Sequence, residues 1–251
     1  MTVAALNFSH PVFAPYQQQI AALALDDAFP QLAALNALAA KQELVNAEGL
    51  PLRFVTPGKP LAARDYEQQI LRTGSVPTRT DNWHDVMNAL VWLRFPRFKA
   101  ALNALHVAAI ADETGALRGR RRDALTMLDE SGVWVTSEHA SLTAILLDRD
   151  WQRLFWHQRD AVMTQMQFVV VGHALLEKML RPYPSMTGKC LMVDTALPGT
   201  VEVAASAALL AISAPDQLAP LPILGIPGWD PRNAQAAYYA NTAVFRSRPP
   251  D

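Results

Sequence analysis

The chain has 251 residues, 51% of them hydrophobic and 18% charged, with a formal net charge of −1. That balance is a folded globular one and excludes a disordered chain, while the near-neutral charge argues against a general nucleic-acid binder. Cys190 is the only cysteine, which excludes an intrachain disulfide and suits a reducing, cytoplasmic setting. The first 20 residues carry no Lys or Arg, which does not fit a secretory signal. The apolar runs 168–171 and 203–212 are far shorter than the ~20 residues of a membrane span.

In chain order, the first third reads as helical. Residues 17–25 and 31–40 are rich in Ala and Leu, and Pro30 between them suits a helix start. Residues 52–55 alternate like a short strand, and 65–72 form a helix that Gly74 is placed to end. Asn82 is an N-cap for the next helix, with Asp85 at the position of a capping-box acid. That helix runs to Arg94, Pro96 bends the chain, and a second helix covers 97–110.

The polar, glycine-containing stretch 112–119 is a turn, and 120–130 is a helix ending near Gly132. A strand at 133–136 follows. Ser137 can cap a helix to Leu147, and 150–162 continues as helix. Strands at 165–171 and 190–193 flank a helix at 173–180. Prolines at 220, 222, 227 and 231 predict an extended tail rather than a regular element, anchored by Trp229, Tyr238 and Phe245. The expected fold is α+β, mostly helical with a small sheet and an extended proline-rich C-terminal tail. The chain reads as a single domain, 1–251, with a helical part at 1–75, a core at 76–200 and a wrapping tail at 201–251.

The polar residues on apolar helices carry the chemistry. His84, Asp85 and Asn88 share one arc of the first helix, and Lys99, Asn103 and His106 form one stripe of the second. If the bend at Pro96 folds the helices together, the two stripes meet. His173 follows a strand and opens a helix, with Glu177 one turn on. The functional reading is a pocket in which His84, His106 and His173 act as acids or bases. Asn88, Lys99, Asn103 and Arg122 would bind a small anionic ligand. A divalent metal is a possible cofactor, with His84, His106, His173 and Glu177 as its ligands, although no established metal motif is present. The bland alternative is a buried hydrogen-bond network.

Arg118, Arg120, Arg121 and Arg122 form the only dense basic cluster; with Arg94, Arg97 and Lys99 it could receive a phosphate or carboxylate, and the blander reading is pairing within the helix to Asp123, Asp129 and Glu130. Asp123, Thr126 and Glu130 make one stripe that can supply carboxylates to the pocket. Cys190 reads as a packed hydrophobe, and His10, His139 and His157 as surface or loop histidines.

The segments VPTRTDNWHDVMNALVWLRFPRFKAALN, GHALLEK, PYPSMTGK and LPILGIPGWDPRN…YYANTAVFR, in that order, resemble the proteobacterial family called domain of unknown function 3025, over roughly residues 15 to 248. The resemblance implies one unit across the chain. It sets His84, Asp85, Asn88, Lys99, Asn103 and His173 inside family motifs, and it implies no particular reaction. Two functions follow as expectations. One is a hydrolase-like enzyme, metal-assisted or metal-free, acting on a small anionic substrate. The other is a non-catalytic binding or interaction protein whose buried polar groups are structural.

Overall fold

The computed structural model describes residues 6–25, 28–58, 62–113, 119–196 and 198–248. A 3-10 segment, Pro11–Tyr16, leads into helix α1, Gln17–Ala22, and α2 spans Leu32–Lys41. α1 stops short of the expected Leu25, and Ala24 turns left-handed at φ 50°. Pro30 does not open α2, because Gln31 holds the cap position and Leu32 is the first helical residue.

β1, Arg53–Val55, and β2, Ser75–Pro77, pair in parallel with Phe54 opposite Val76. The intervening helix α3, Ala63–Thr73, ends at Gly74 in the left-handed conformation, φ 70°, with its amide on the Ile70 carbonyl at 2.9 Å. A side chain there would also meet Pro51 O at 2.3 Å, so the position requires glycine.

α4, Trp83–Arg94, and α5, Pro96–Ala111, meet at Phe95. Pro96 is the first residue of α5, where a missing N–H leaves no helical bond unmade. Residues 114–118, most of the expected turn and Arg118 with it, lie outside the described residues. α6, Arg120–Ser131, then runs directly into β3, Gly132–Ser137.

Ser137 does not cap the next helix. Its hydroxyl exchanges bonds with the His139 backbone, and α7, Ala140–Leu147, begins without a side-chain cap. The expected helix at 150–162 is interrupted by a π turn, Arg153–His157, and resumes as α8, Arg159–Gln165. β4, Met166–Val170, α9, His173–Met179, β5, Thr187–Met192, α10, Val201–Ala208, and β6, Pro220–Pro222, complete the order.

The larger sheet has the order β4-β3-β5-β6. β3 sets Val133 opposite Val170 of antiparallel β4 and opposite Cys190 of parallel β5. Trp134 of β3 is buried against Phe95 and Phe98, ring centroids 4.6 and 4.9 Å away. Burying a ring such as Phe98 contributes about 2 to 3 kcal/mol, so this cluster is a main tie between sheet and helices.

Two expectations about the tail need correction. α10 is a regular helix within 201–251, and the proline-rich stretch does supply a strand. β6 pairs antiparallel with β5, Leu221 opposite Gly188. The flanking bonds use Ala219 O and Ile223 N rather than a proline nitrogen, at 2.8 and 3.0 Å. Proline is tolerated on such an edge strand. Beyond it, short 3-10 turns carry the chain over the sheet, as the proline content predicts.

His10 is buried and not a surface histidine. Its Nδ1 accepts from the Val12 amide, so Nε2 is the donor to Trp229 O at 2.7 Å, which ties the N-terminal segment to the tail. No helix among the described residues is long and apolar enough to cross a membrane.

Candidate functional site

A cleft of about 1010 Å³ opens between α3, α4, α6 and α9, with the ends of β1 and β2 on its rim. One close backbone approach sets its histidine wall. The amides of Val171 and Gly172 both donate to Gly132 O at 2.9 Å. A Cβ on Gly172 would lie 2.4 Å from the Ser131 and Gly132 nitrogens. The missing side chain lets the start of α9 meet the end of α6, which brings His173 to Asp129 and Glu130.

His84, from the first turn of α4, completes the wall. Its Nε2 lies 3.0 Å from His173 Nε2, and the rings meet edge to face with centroids 4.4 Å apart. Each ring is backed by a carboxylate. His84 Nδ1 is 3.1 Å from Glu177 Oε2, and His173 Nδ1 is 3.6 Å from Asp129 Oδ1, a charge contact longer than a hydrogen bond. Glu130 Oε1 lies 3.8 Å from His173 Nε2.

A carboxylate accepts and does not donate, so both contacts favour the proton on Nδ1. The two Nε2 atoms then present lone pairs to each other. That contact is repulsive unless a positive centre lies between them, either a proton or a cation.

Behind this wall is a tighter polar layer. Lys99, 5% exposed, forms an ion pair with Asp129 and lies 5.6 Å from the centre of the Trp92 ring. Asn103 donates to the Glu67 carboxylate at 2.7 Å and to its backbone at 3.0 Å. Asn88 donates to Tyr66 Oη at 2.9 Å. Burial and the neighbouring Asp129 charge push Glu67 up to about 7. Burial would raise Asp129 too, but Lys99 and His173 outweigh it and hold that carboxyl well below the usual range. Asp129 is therefore the fixed anion of the pair, and Glu67 the group that keeps a proton near neutrality. Burial, with the charges of Glu67 and Asp129 behind it, also pushes the Tyr66 phenol well above its ordinary range.

The cleft gathers His84, Asn88, His106, Arg122 and His173, together with Asp85, Thr126 and Glu130. Lys99 and Asn103 do not line it and instead line a small cavity behind it, which His106 also reaches. The α5 stripe is therefore divided: His106 shares the cleft with His84 and Asn88 of α4, while Lys99 and Asn103 lie behind it. The partner of His84 is His173, and Glu177 bonds His84 rather than its own helical neighbour His173.

Asp85 has its carboxylate engaged by Arg79 rather than closing a capping box. Burial raises its carboxyl, but hydrogen bonds from the Arg79 amide and guanidinium, at 2.8 to 3.0 Å, outweigh this and lower it. Asn82 does cap α4, accepting from the Asp85 amide. Two arginines of α6 have partners off their own helix. Arg120 pairs with Asp216 at 3.1 Å, and Arg122 with Glu113 at 3.2 Å.

Sequence reasoning missed Tyr66, Glu67 and Arg79, and read Asp129 as a surface charge. Glu67 and Asp129 sit on helices whose composition is that of a wet face, and only tertiary packing shows which turn is covered. Arg122, Thr126 and Asp129 do fall at helical spacing on one face of α6, and that was the available signal.

A family model described as protein of unknown function (DUF3025) matches residues 52–249. No curated protein and no solved structure gives a match.

Proposed function

We propose that this chain, which belongs to the DUF3025 family, is a hydrolase-like enzyme acting on a small anionic substrate in the cleft. One observation carries the reading. Two imidazoles converge Nε2 to Nε2 at 3.0 Å on the wall of a cleft, with Glu177 and Asp129 behind them. Carboxylate-backed imidazoles facing space for a small molecule are suited to moving a proton or activating water.

His84 and His173 are the acid–base groups in this reading. His106 stands deeper and adjusts the Asp129 side of the wall. Asn88 lines the cleft and holds the Tyr66 hydroxyl at its wall, a polar edge for a substrate. Arg79 and Arg122 line the cleft, each already paired with a carboxylate, and are the guanidiniums an anionic group would meet there. The buried free thiol of Cys190 suits a reducing compartment, and we place the protein in the cytoplasm.

The non-catalytic reading keeps one specific support. The Lys99–Asp129, Asn103–Glu67 and Asn88–Tyr66 contacts tie α3, α4, α5 and α6 together as a structural network would. Both roles fit if that network is the foundation and the histidine wall is the site.

The test is a screen of purified protein against small phosphate and carboxylate esters, repeated with His84→Ala and His173→Ala. We expect turnover of at least one class, reduced about 100- to 10,000-fold in each folded variant. Turnover unchanged in both variants, or none in the wild type with any ester, would remove the catalytic reading.

A further inference from the structure

We propose that His84, His173 and Glu130 form a binding centre for one divalent cation, of the zinc kind that takes two imidazoles and a carboxylate. The inference deepens the hydrolytic reading and rests on it only for the use of the ion.

The first argument is geometric. One ligand atom from each of the three residues lies within 4.8 Å of the other two. Two imidazole nitrogens bound tetrahedrally to zinc at about 2.0 to 2.1 Å stand about 3.3 Å apart. The observed Nε2 separation is 3.0 Å, close to that spacing without rearrangement. Glu130 then needs only a side-chain rotation, and at 40% exposure its side chain is free to make one.

The second argument is the tautomer. Glu177 and Asp129 favour Nδ1 protonation on the two rings, which leaves both Nε2 lone pairs on the cleft side. A carboxylate behind a ligating imidazole is the usual arrangement at metal centres, where it fixes the tautomer and the ring plane. Here both rings have one.

The third argument is charge. Among the described lining residues, Asp85, Asp129 and Glu130 stand against the guanidiniums of Arg79 and Arg122, with Glu67 keeping its proton near neutrality. Arg79 is already engaged by Asp85, and Arg122 by Glu113. Such a wall attracts a cation before it attracts an anion. With a divalent ion in place the local sign reverses, and an anionic substrate gains a partner. Three protein ligands leave further coordination positions open to the cleft, as catalytic rather than structural centres do.

A second grouping, Glu67, His106 and Asp129, is also close enough to hold an ion. It does not carry the proposal. The Lys99 ammonium already supplies positive charge to Asp129, Asn103 occupies Glu67, and the cavity there is about 10 Å³.

The experiment uses full-length protein without a histidine tag, treated with chelator and dialysed. Zn²⁺ and Co²⁺ are titrated by calorimetry and by visible absorption of bound Co²⁺. We expect about one ion per chain and an intense tetrahedral-type cobalt spectrum. His84→Ala and His173→Ala should each weaken binding at least 100-fold while keeping the wild-type circular dichroism. Glu177→Gln, which removes the charge of a backing group and no ligand, should weaken it about 10- to 100-fold. Glu67→Gln should leave it within about threefold.

No stoichiometric binding by folded wild type, or equal binding by folded His84→Ala and His173→Ala, would overturn the centre. So would loss of binding in Glu67→Gln with retention in His84→Ala. Metal binding without ester turnover would remove the hydrolytic reading and leave the centre. Turnover by metal-free protein at the metal-loaded rate would keep that reading and remove the ion from it.

Discussion

Lys99 shows how one residue decides between function and foundation. It is a cation on an otherwise apolar stripe, which invites a role in anion binding. Its ammonium instead meets Asp129, with the two side chains only 6% and 15% exposed. Removing one member of such a pair leaves a charge that neither water nor protein satisfies. Lys99→Met is expected to lose about 3 kcal/mol of stability, and neutralising both groups in Lys99→Met/Asp129→Asn should recover part of it. Urea unfolding measures both, and a loss below about 1 kcal/mol for Lys99→Met would show the pair to be expendable. The histidines of the site were legible in the sequence because an imidazole on an apolar helix needs a partner wherever it lands. Their carboxylates were not. Asp129 and Glu130 follow a run of arginines and look solvated, and nothing local says that α9 covers that end of α6. Residue type announced where polar groups would be buried, but the pairing of His84 with His173, 89 positions away, needed the fold.

At the scale of elements, helices were easier to read than the joints and short strands between them. The Asn82 cap, the Gly74 stop and the break at Pro96 each act through neighbouring backbone, so sequence alone located them, although Pro96 opens α5 one residue earlier than expected. β2 and β6 have three residues each and include proline, so they exist only because β1 and β5 offer them an edge. Gly172 belongs with these long-range cases. A glycine between strand and helix looks like an ordinary turn, yet it is the point where two element ends touch. Gly172→Ala forces a methyl group against the Ser131 and Gly132 backbone, which cannot yield as a flexible side chain would. We expect a loss of about 2 to 3 kcal/mol and a displaced His173. Thermal unfolding reads the first, and the ring signals of His84 and His173 read the second. A stable variant with both histidine signals unmoved would mean that the α6–α9 contact does not set the site.

For the whole molecule the question is whether the tail is part of the cooperative unit or a strap that opens alone. Cys190 is placed to answer it. Its amide donates to Ala219 O at the start of β6, its thiol is buried, and burial pushes that thiol up to about 12. A thiol so buried reacts only when the packing over β5 opens. The tail beyond β6 is held by Asn233, fully buried, whose amide donates to Leu224 O and Ile226 O at 3.0 and 2.7 Å. Arg159 adds a bond to Asn233 O at 2.8 Å, Tyr239 one to Gly225 O at 2.9 Å, and Trp151 one to Arg246 O at 2.8 Å. The Arg159 and Trp151 bonds link the tail to α8 and to the segment before it. If tail and sheet open together, a thiol reagent should label Cys190 in native buffer at least about a thousandfold more slowly than in urea, because the open state carries the full unfolding free energy. Asn233→Ala removes two buried bonds and strands their carbonyls, worth about 2 kcal/mol, so labelling should quicken about 30-fold. It should do so in step with the fall in global stability measured by urea. Labelling that quickens while global stability holds would mean that the tail opens by itself. Fast labelling of the wild type would mean that the packing over β5 opens without global unfolding.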